Sequence, residues 1–202
     1  MSEILDDIEN ARKENDEIKG RNYEREIISS ADFSMIDFQS VTFEGCRFIE
    51  CDLSKASFYN CKFLHCDLSN CKLPDSYWKE CEMSDCNCKG INLTKGTFKQ
   101  TILKNNTLIY GLLSECTFDS CRVLTCNLSN ALFSQVTLRH TKFSECRFIC
   151  AEMFKTSLRG IDLSDCDISG IALSDTLYEL RGAEVSYDQA VDLIGLLGIK
   201  VK

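Results

Sequence analysis

Proline occurs once in 202 residues and histidine only twice. No apolar run approaches the roughly eighteen residues of a membrane-spanning helix, which excludes one. The start, Met-Ser-Glu-Ile-Leu-Asp-Asp, is acidic where a signal peptide is basic and then apolar, so secretion is not expected. Gly-rich phosphate loops are missing, since the ten Gly are scattered singly. Basic charge is in deficit. Lys and Arg number 23 against 31 Asp and Glu, a net charge of −8 that disfavours nonspecific binding to nucleic acid or anionic membrane. Apolar residues at 44 % and charged residues at 27 % are ordinary globular values and exclude wholesale disorder. Against these shortages stand fourteen cysteines. Without a secretion signal they are expected to be reduced thiols in a cytosol.

A repeat of five organises the chain. Every fifth residue from Phe33 to Leu173 is apolar or Cys, twenty-nine positions in succession, among them Phe38, Phe58, Trp78, Phe98 and Phe118. At this apolar content, chance produces such a run at a rate on the order of 10⁻¹⁰. The period fits neither the 2.0 of a strand nor the 3.6 of a helix.

Two residues before each large position comes a small one, such as Cys46, Cys51, Ala56, Cys61 or Cys66. Side chains two apart on an extended segment point to the same side, so small and large both face inward. The remaining residues of each five must turn the chain and meet water. Twelve of the fourteen Cys fall on the small inward slot, Cys88 on a large slot and Cys150 on an exterior one. The column Cys46, Cys66, Cys86, Cys126, Cys146 and Cys166 is interrupted at Asn106. Buried Cys suits a narrow interior. Cys81, Cys86 and Cys88 look like a metal cluster, but zinc wants four tetrahedral ligands, a straight column offers a line, and Cys-x-x-Cys pairs are missing. His65 and His140 fall outward, and a filled rod offers no cleft for a catalytic site, so no enzyme, metal or cofactor is expected.

The ends differ from the middle, as the ends of a solenoid must. Ile4, Ile8, Ala11, Asn15 and Ile18 form one stripe of a short helix over residues 3 to 18, expected to dock on the first coil. Ser186-Tyr187-Asp188-Gln189 reads as a capping box. Ala190, Val191, Leu193, Ile194 and Leu197 supply the apolar face of the helix that follows. Gly198 is placed to end it, and Ile199-Lys200-Val201 could add a strand.

Units such as Cys66-Asp67-Leu68-Ser69-Asn70 and Cys126-Asn127-Leu128-Ser129-Asn130 resemble the Ala-Asp/Asn-Leu-x-x consensus of the pentapeptide-repeat family over about 145 residues. The resemblance implies an all-β fold: a right-handed, quadrilateral parallel β-helix with short terminal helices and four repeats per coil. Residues twenty apart would stack ~4.8 Å from one another, giving roughly seven coils and a rod of about 35 Å. The expected organisation is an N-terminal helix and cap at 1–30, the β-helix at 31–180, and a C-terminal helix and dimerisation segment at 181–202.

The terminal helix resembles that of the Qnr-type and mycobacterial fluoroquinolone-resistance members. That resemblance implies a homodimer joined through Ala190, Val191, Leu193, Ile194 and Leu197. It further implies a cytoplasmic DNA mimic that binds DNA gyrase or topoisomerase IV, with Asp162, Asp165, Asp167, Asp175 and Glu179 as the acidic surface. The phase runs from 33 to 173 without insertion, so the plan is closer to the loop-free mycobacterial type. Lys79, Lys99, Arg139 and Arg159 share a basic exterior column broken by Asp119. The alternative is an interaction scaffold for a different partner, and the exterior column Ile49, Ile109 and Ile149 suits such contact.

Overall fold

A computed structural model describes residues 3–199. Strands and single bridges pair in parallel at a constant register of twenty, as in Phe58↔Trp78 and Trp78↔Phe98. Since the chain turns every five residues, each coil has four sides. Side I stacks seven strands from Ile18–Lys19 to Thr137–Arg139, and side II seven from Asn22–Glu24 to Lys142–Ser144. Sides III and IV are narrower, held mostly by single bridges such as Asp67↔Asn87 and Asp52↔Lys72. The result is a four-sided parallel β-solenoid with a helix at each end.

The turning is done by backbone conformation. Every fifth residue from Gly20 to Gly160 is left-handed, with φ between 48° and 72°. Gly, Asn and Asp take this state readily, and they hold many of the corners, including Gly45, Asn60, Asn70, Asp85 and Gly90. The period of five is therefore the spacing of left-handed corners.

Corners come in two kinds. On entering and leaving side IV the chain usually makes a hydrogen-bonded turn, as where the Ala56 N–H donates to Leu53 O at 3.1 Å with φ positive at Lys55. Positive φ at the third residue is the signature of a type II turn. On either side of side II, in the coils before the last, the corner lacks that bond among the described residues, and the N–H after it needs another partner. The next coil supplies one: Cys61 N–H donates to Cys81 Sγ and Cys66 N–H to Cys86 Sγ, each at 3.4 Å.

This division explains where the cysteines fall. From Cys46 onward, twelve of the thirteen slots after open corners hold a side chain able to form hydrogen bonds: nine Cys with Thr101, Asn106 and Thr141. The exception is Val136, whose N–H donates to Thr156 Oγ1 at 3.0 Å. After the bonded turns the slot is mainly Ile, Ala or Gly, as at Ala56, Ile91, Gly111 and Ala131. The inward thiols also donate, most of them to the carbonyl 23 residues earlier. Cys81 Sγ reaches Phe58 O at 3.3 Å and Cys116 Sγ reaches Leu93 O at 3.0 Å. Thr156 does the same with its hydroxyl, reaching Phe133 O at 2.6 Å. The slot thus wants a small side chain that is apolar in bulk and can still bond to the backbone, which describes Cys.

The large positions fill the rest. Phe38 stacks on Phe58 at 5.2 Å and 6°, Phe58 on Trp78 at 4.1 Å, and Phe98 on Phe118 at 4.8 Å and 7°. All are buried. The indole N–H of Trp78 donates to Ser76 Oγ at 2.9 Å, which accounts for a hydroxyl in that small slot.

Helix α1 (Glu3–Glu14) buries Ile4, Ile8 and Ala11 against the first coil. It is pinned by the Tyr23 hydroxyl donating to Asp7 at 2.7 Å and by Arg21 paired with the same carboxylate at 2.8 Å. The expected stripe is corrected at its end. Asn15 is exposed and left-handed at φ 53°, stopping the helix, and Ile18 is buried as the first strand. Strand pairing therefore starts well before residue 31. No helix among the described residues is long and apolar enough to cross a membrane.

Candidate functional site

The last coil changes form. Residues 156–166 turn twice in the bonded manner, Ile161 N–H to Leu158 O at 3.0 Å and Cys166 N–H to Leu163 O at 2.9 Å. A closing segment then covers them, with Leu158 N–H donating to Glu179 O and Leu163 N–H to Glu184 O. Helix α2 (Tyr187–Leu196) follows, and both bonds of the expected capping box are present. Gln189 also reaches inward, donating from Nε2 to Leu163 O at 2.9 Å and Cys166 O at 2.5 Å.

The five candidate acids do not form one surface. Asp162, Asp165 and Asp167 lie around one corner, between sides II and III. Asp162 Oδ1 accepts from the Ser164 N–H at 2.9 Å and hydroxyl at 2.6 Å, and Asp167 Oδ1 from the Ser169 N–H at 3.1 Å and hydroxyl at 2.7 Å. Asp165 accepts from the Ser144 hydroxyl one coil earlier at 2.6 Å. These hydroxyl bonds hold all three carboxyls below their usual range. Asp175 is exposed half a turn further round. Glu179 is a correction to the expected surface: it is buried, accepting from the Lys155 N–H at 3.0 Å and the Ser174 hydroxyl at 2.8 Å. Burial alone would raise its pKa, but those bonds lower it.

Part of this was readable. Asp followed two residues later by Ser recurs at Asp32, Asp52 and Asp67, and each of those carboxylates also accepts from the N–H at the corner. The motif locks a turn, so Asp162 and Asp167 have a structural duty as well as a charge. Glu179 lies beyond the last repeat, where the phase of five no longer separates inside from outside.

Between the last coil and α2 runs a groove of about 450 Å³. Ile168, Ile171, Leu193 and Leu196 give it apolar walls, and Asp165, Asp167 and Asp192 an acidic rim. On α2, Leu193 packs against the protein's own core, and Ala190, Val191 and Ile194 are half-buried. Leu196, Leu197 and Ile199 are exposed. Of the expected terminal strand, Lys200 and Val201 lie outside the described residues.

The remaining candidates are dispersed. Lys79, Lys99, Asp119 and Arg139 stack in register on side I. His65 and His140 are exposed at corners. Cys81 and Cys86 donate to backbone carbonyls and Cys88 touches Met83 Sδ at 3.6 Å, so these three thiols serve the core.

The description "Pentapeptide repeat region" matches residues 31–108, and "Pentapeptide repeats (8 copies)" matches residues 126–170. Among solved structures, a trypsin-treated variant of QnrB1, a plasmid-mediated fluoroquinolone resistance protein, superposes at a TM-score of 0.53 with 20% identity over 92% of this chain and 99% of that one. A second trypsin-treated QnrB1 variant gives 0.52 and 20% over 92% and 97%. At that identity the likeness concerns the fold. No curated protein matches the chain in sequence. With the repeat phase, the stacked four-sided coil and both family descriptions in agreement, the chain belongs to the pentapeptide-repeat family.

Proposed function

We propose that the protein is a non-enzymatic, cytoplasmic DNA mimic that binds DNA gyrase or topoisomerase IV through the acidic corner at its C-terminal end. The observation that carries this reading is the fixed geometry of Asp162, Asp165 and Asp167, three carboxylates gathered around one corner and each held by a serine hydroxyl. Such rigid, ionised groups suit a surface that substitutes for phosphates. The fold shared with QnrB1 is consistent with it, and protection from fluoroquinolones is the corresponding phenotype.

The mimic acts as a homodimer in this reading, joined through the exposed end of α2. Leu193 is occupied within its own chain, so Leu196, Leu197 and Ile199 are the contact residues. Leu197→Asp should reduce the mass measured by light scattering to one chain. A monomeric wild type at micromolar concentration removes the dimer.

A supercoiling assay tests the main claim. Wild type should inhibit gyrase at micromolar concentration. Asp162→Asn with Asp167→Asn should lose inhibition while keeping the fold, because Asn127 already forms the same corner bond to the Ser129 N–H at 3.1 Å. A wild type without effect on gyrase or topoisomerase IV at low salt rejects the reading. A scaffold for another partner is then favoured by the basic column Lys79, Lys99 and Arg139 on side I, which a DNA-binding saddle would repel.

A further inference from the structure

The parallel ladder of side I stops at Thr137–Arg139, although the chain makes one more pass beneath it at 157–159. Each earlier layer is joined to the next by a regular set of main-chain bonds. Thr117 N–H donates to Gly96 O and Gln100 N–H to Asp119 O, both at 2.9 Å, with Thr97–Lys99 and Thr117–Asp119 paired between them. One coil later the pattern still holds, since Thr137 N–H donates to Cys116 O. The next set is missing among the described residues: no main-chain bond joins 136–140 to 157–159. The cause is the change of form in the last coil, whose bonded turns draw Leu158 and Gly160 toward the closing segment instead.

By the geometry of the earlier layers, the N–H groups of Leu138 and His140 and the carbonyls of Val136 and Leu138 face this break. They form an alternating row of donors and acceptors, as on the open edge of a sheet. A groove of about 420 Å³ lies there, lined by Gln135, Thr137, Leu138, Lys155, Ser157 and Arg159. Leu138 is half-buried, whereas Phe98 and Phe118 above it in the same column are fully buried. Arg139, Lys155 and Arg159 are exposed around the groove, and none of them forms an ion pair among the described residues.

We propose that this break is a docking site for an extended acidic segment of a partner protein, which pairs with Thr137–Arg139 as an added strand. Two observations select that occupant. The edge presents acceptors as well as donors, so a free anion such as phosphate satisfies half of the row and a peptide backbone satisfies all of it. The uncompensated Arg139, Lys155 and Arg159 favour acidic side chains on the incoming strand. Thr137 and Ser157 supply hydroxyls beside them. The site is on a different face from the acidic corner and does not depend on gyrase binding.

Amide hydrogen exchange and fluorescence anisotropy test it, using an acetylated octapeptide of alternating Glu and Val. In the free protein, Leu138 and His140 should exchange about a hundredfold faster than Phe118 and Ser120, their counterparts one coil earlier. The peptide should slow both amides. Arg139→Glu with Arg159→Glu should weaken its binding about tenfold or more without altering thermal unfolding. Peptides with Lys in place of Glu, or with Pro at alternate positions, should not bind. Slow exchange of Leu138 and His140 in the free protein would mean that the wall is closed, and overturns the proposal. So does an absence of slowing with the peptide, equal binding of the Lys or Pro peptide, or equal protection by inorganic phosphate alone.

Discussion

Asn106 stands one coil beyond Cys86 and serves two of the main-chain groups at its open corner. Its Oδ1 accepts from the Cys86 N–H at 2.9 Å and its Nδ2 donates to Met83 O at 2.7 Å. The residue that interrupts the cysteine column in the sequence is therefore the strongest example of what the column does. Asn106→Ala leaves a buried donor and a buried acceptor unpaired, and should cost about 2–4 kcal/mol in chemical denaturation. Asn106→Cys should recover most of that loss, because neighbouring coils bridge the same gap with sulfur.

Thiol chemistry follows from the same geometry. Cys150 is the one exposed thiol among the described residues, so a thiol reagent should modify it rapidly in the native state and reach the other thirteen only on unfolding. Burial pushes Cys71, Cys116 and Cys126 up to about 12 from an ordinary 9.0. The folded state therefore favours the protonated thiol. Stability from this source is complete below pH 9 and falls as the pH rises from 9 toward 12. Denaturation midpoints measured across that range should decline, whereas a Cys71→Ala, Cys116→Ala, Cys126→Ala variant should decline less.

Corner residues offer a gain in stability. Thr125 is β-branched and sits at φ 53° in the left-handed region, where its hydroxyl donates to Glu145 at 3.3 Å and its N–H to Ser144 O at 2.8 Å. Thr125→Asn should raise stability by about 1 kcal/mol, read as a higher Tm. Ala131→Gly, which follows a left-handed corner without occupying it, should give no such gain.

The architecture was legible because one constraint repeats along most of the chain. A period of five with small and large inward positions leaves no other way to bury both, and Phe38, Phe58, Trp78, Phe98 and Phe118 stack as their spacing requires. The role of the thiols was only half legible. Their size could be read from the slot, but the bonds their sulfurs accept from the N–H twenty residues earlier depend on which corners close with a turn. The candidate surface was least legible. Asp162, Asp165 and Asp167 come together because they follow one another around a corner, while Glu179 turns inward where the repeat has already ended. The break below Thr137–Arg139 left no mark in the phase, because a coil can change its corner type without changing its length.

Charge is the core of the functional reading, and salt examines charge directly. Affinity of the purified protein for gyrase should be measured from about 50 to about 200 mM salt, a range over which phosphate-like contacts weaken steeply. The expected result is tight binding at the low end, a steep linear fall of log affinity with log salt, and displacement by duplex DNA. Binding that ignores both salt and DNA, or no binding at the lowest salt, contradicts the assignment of the acidic corner as a substitute for DNA.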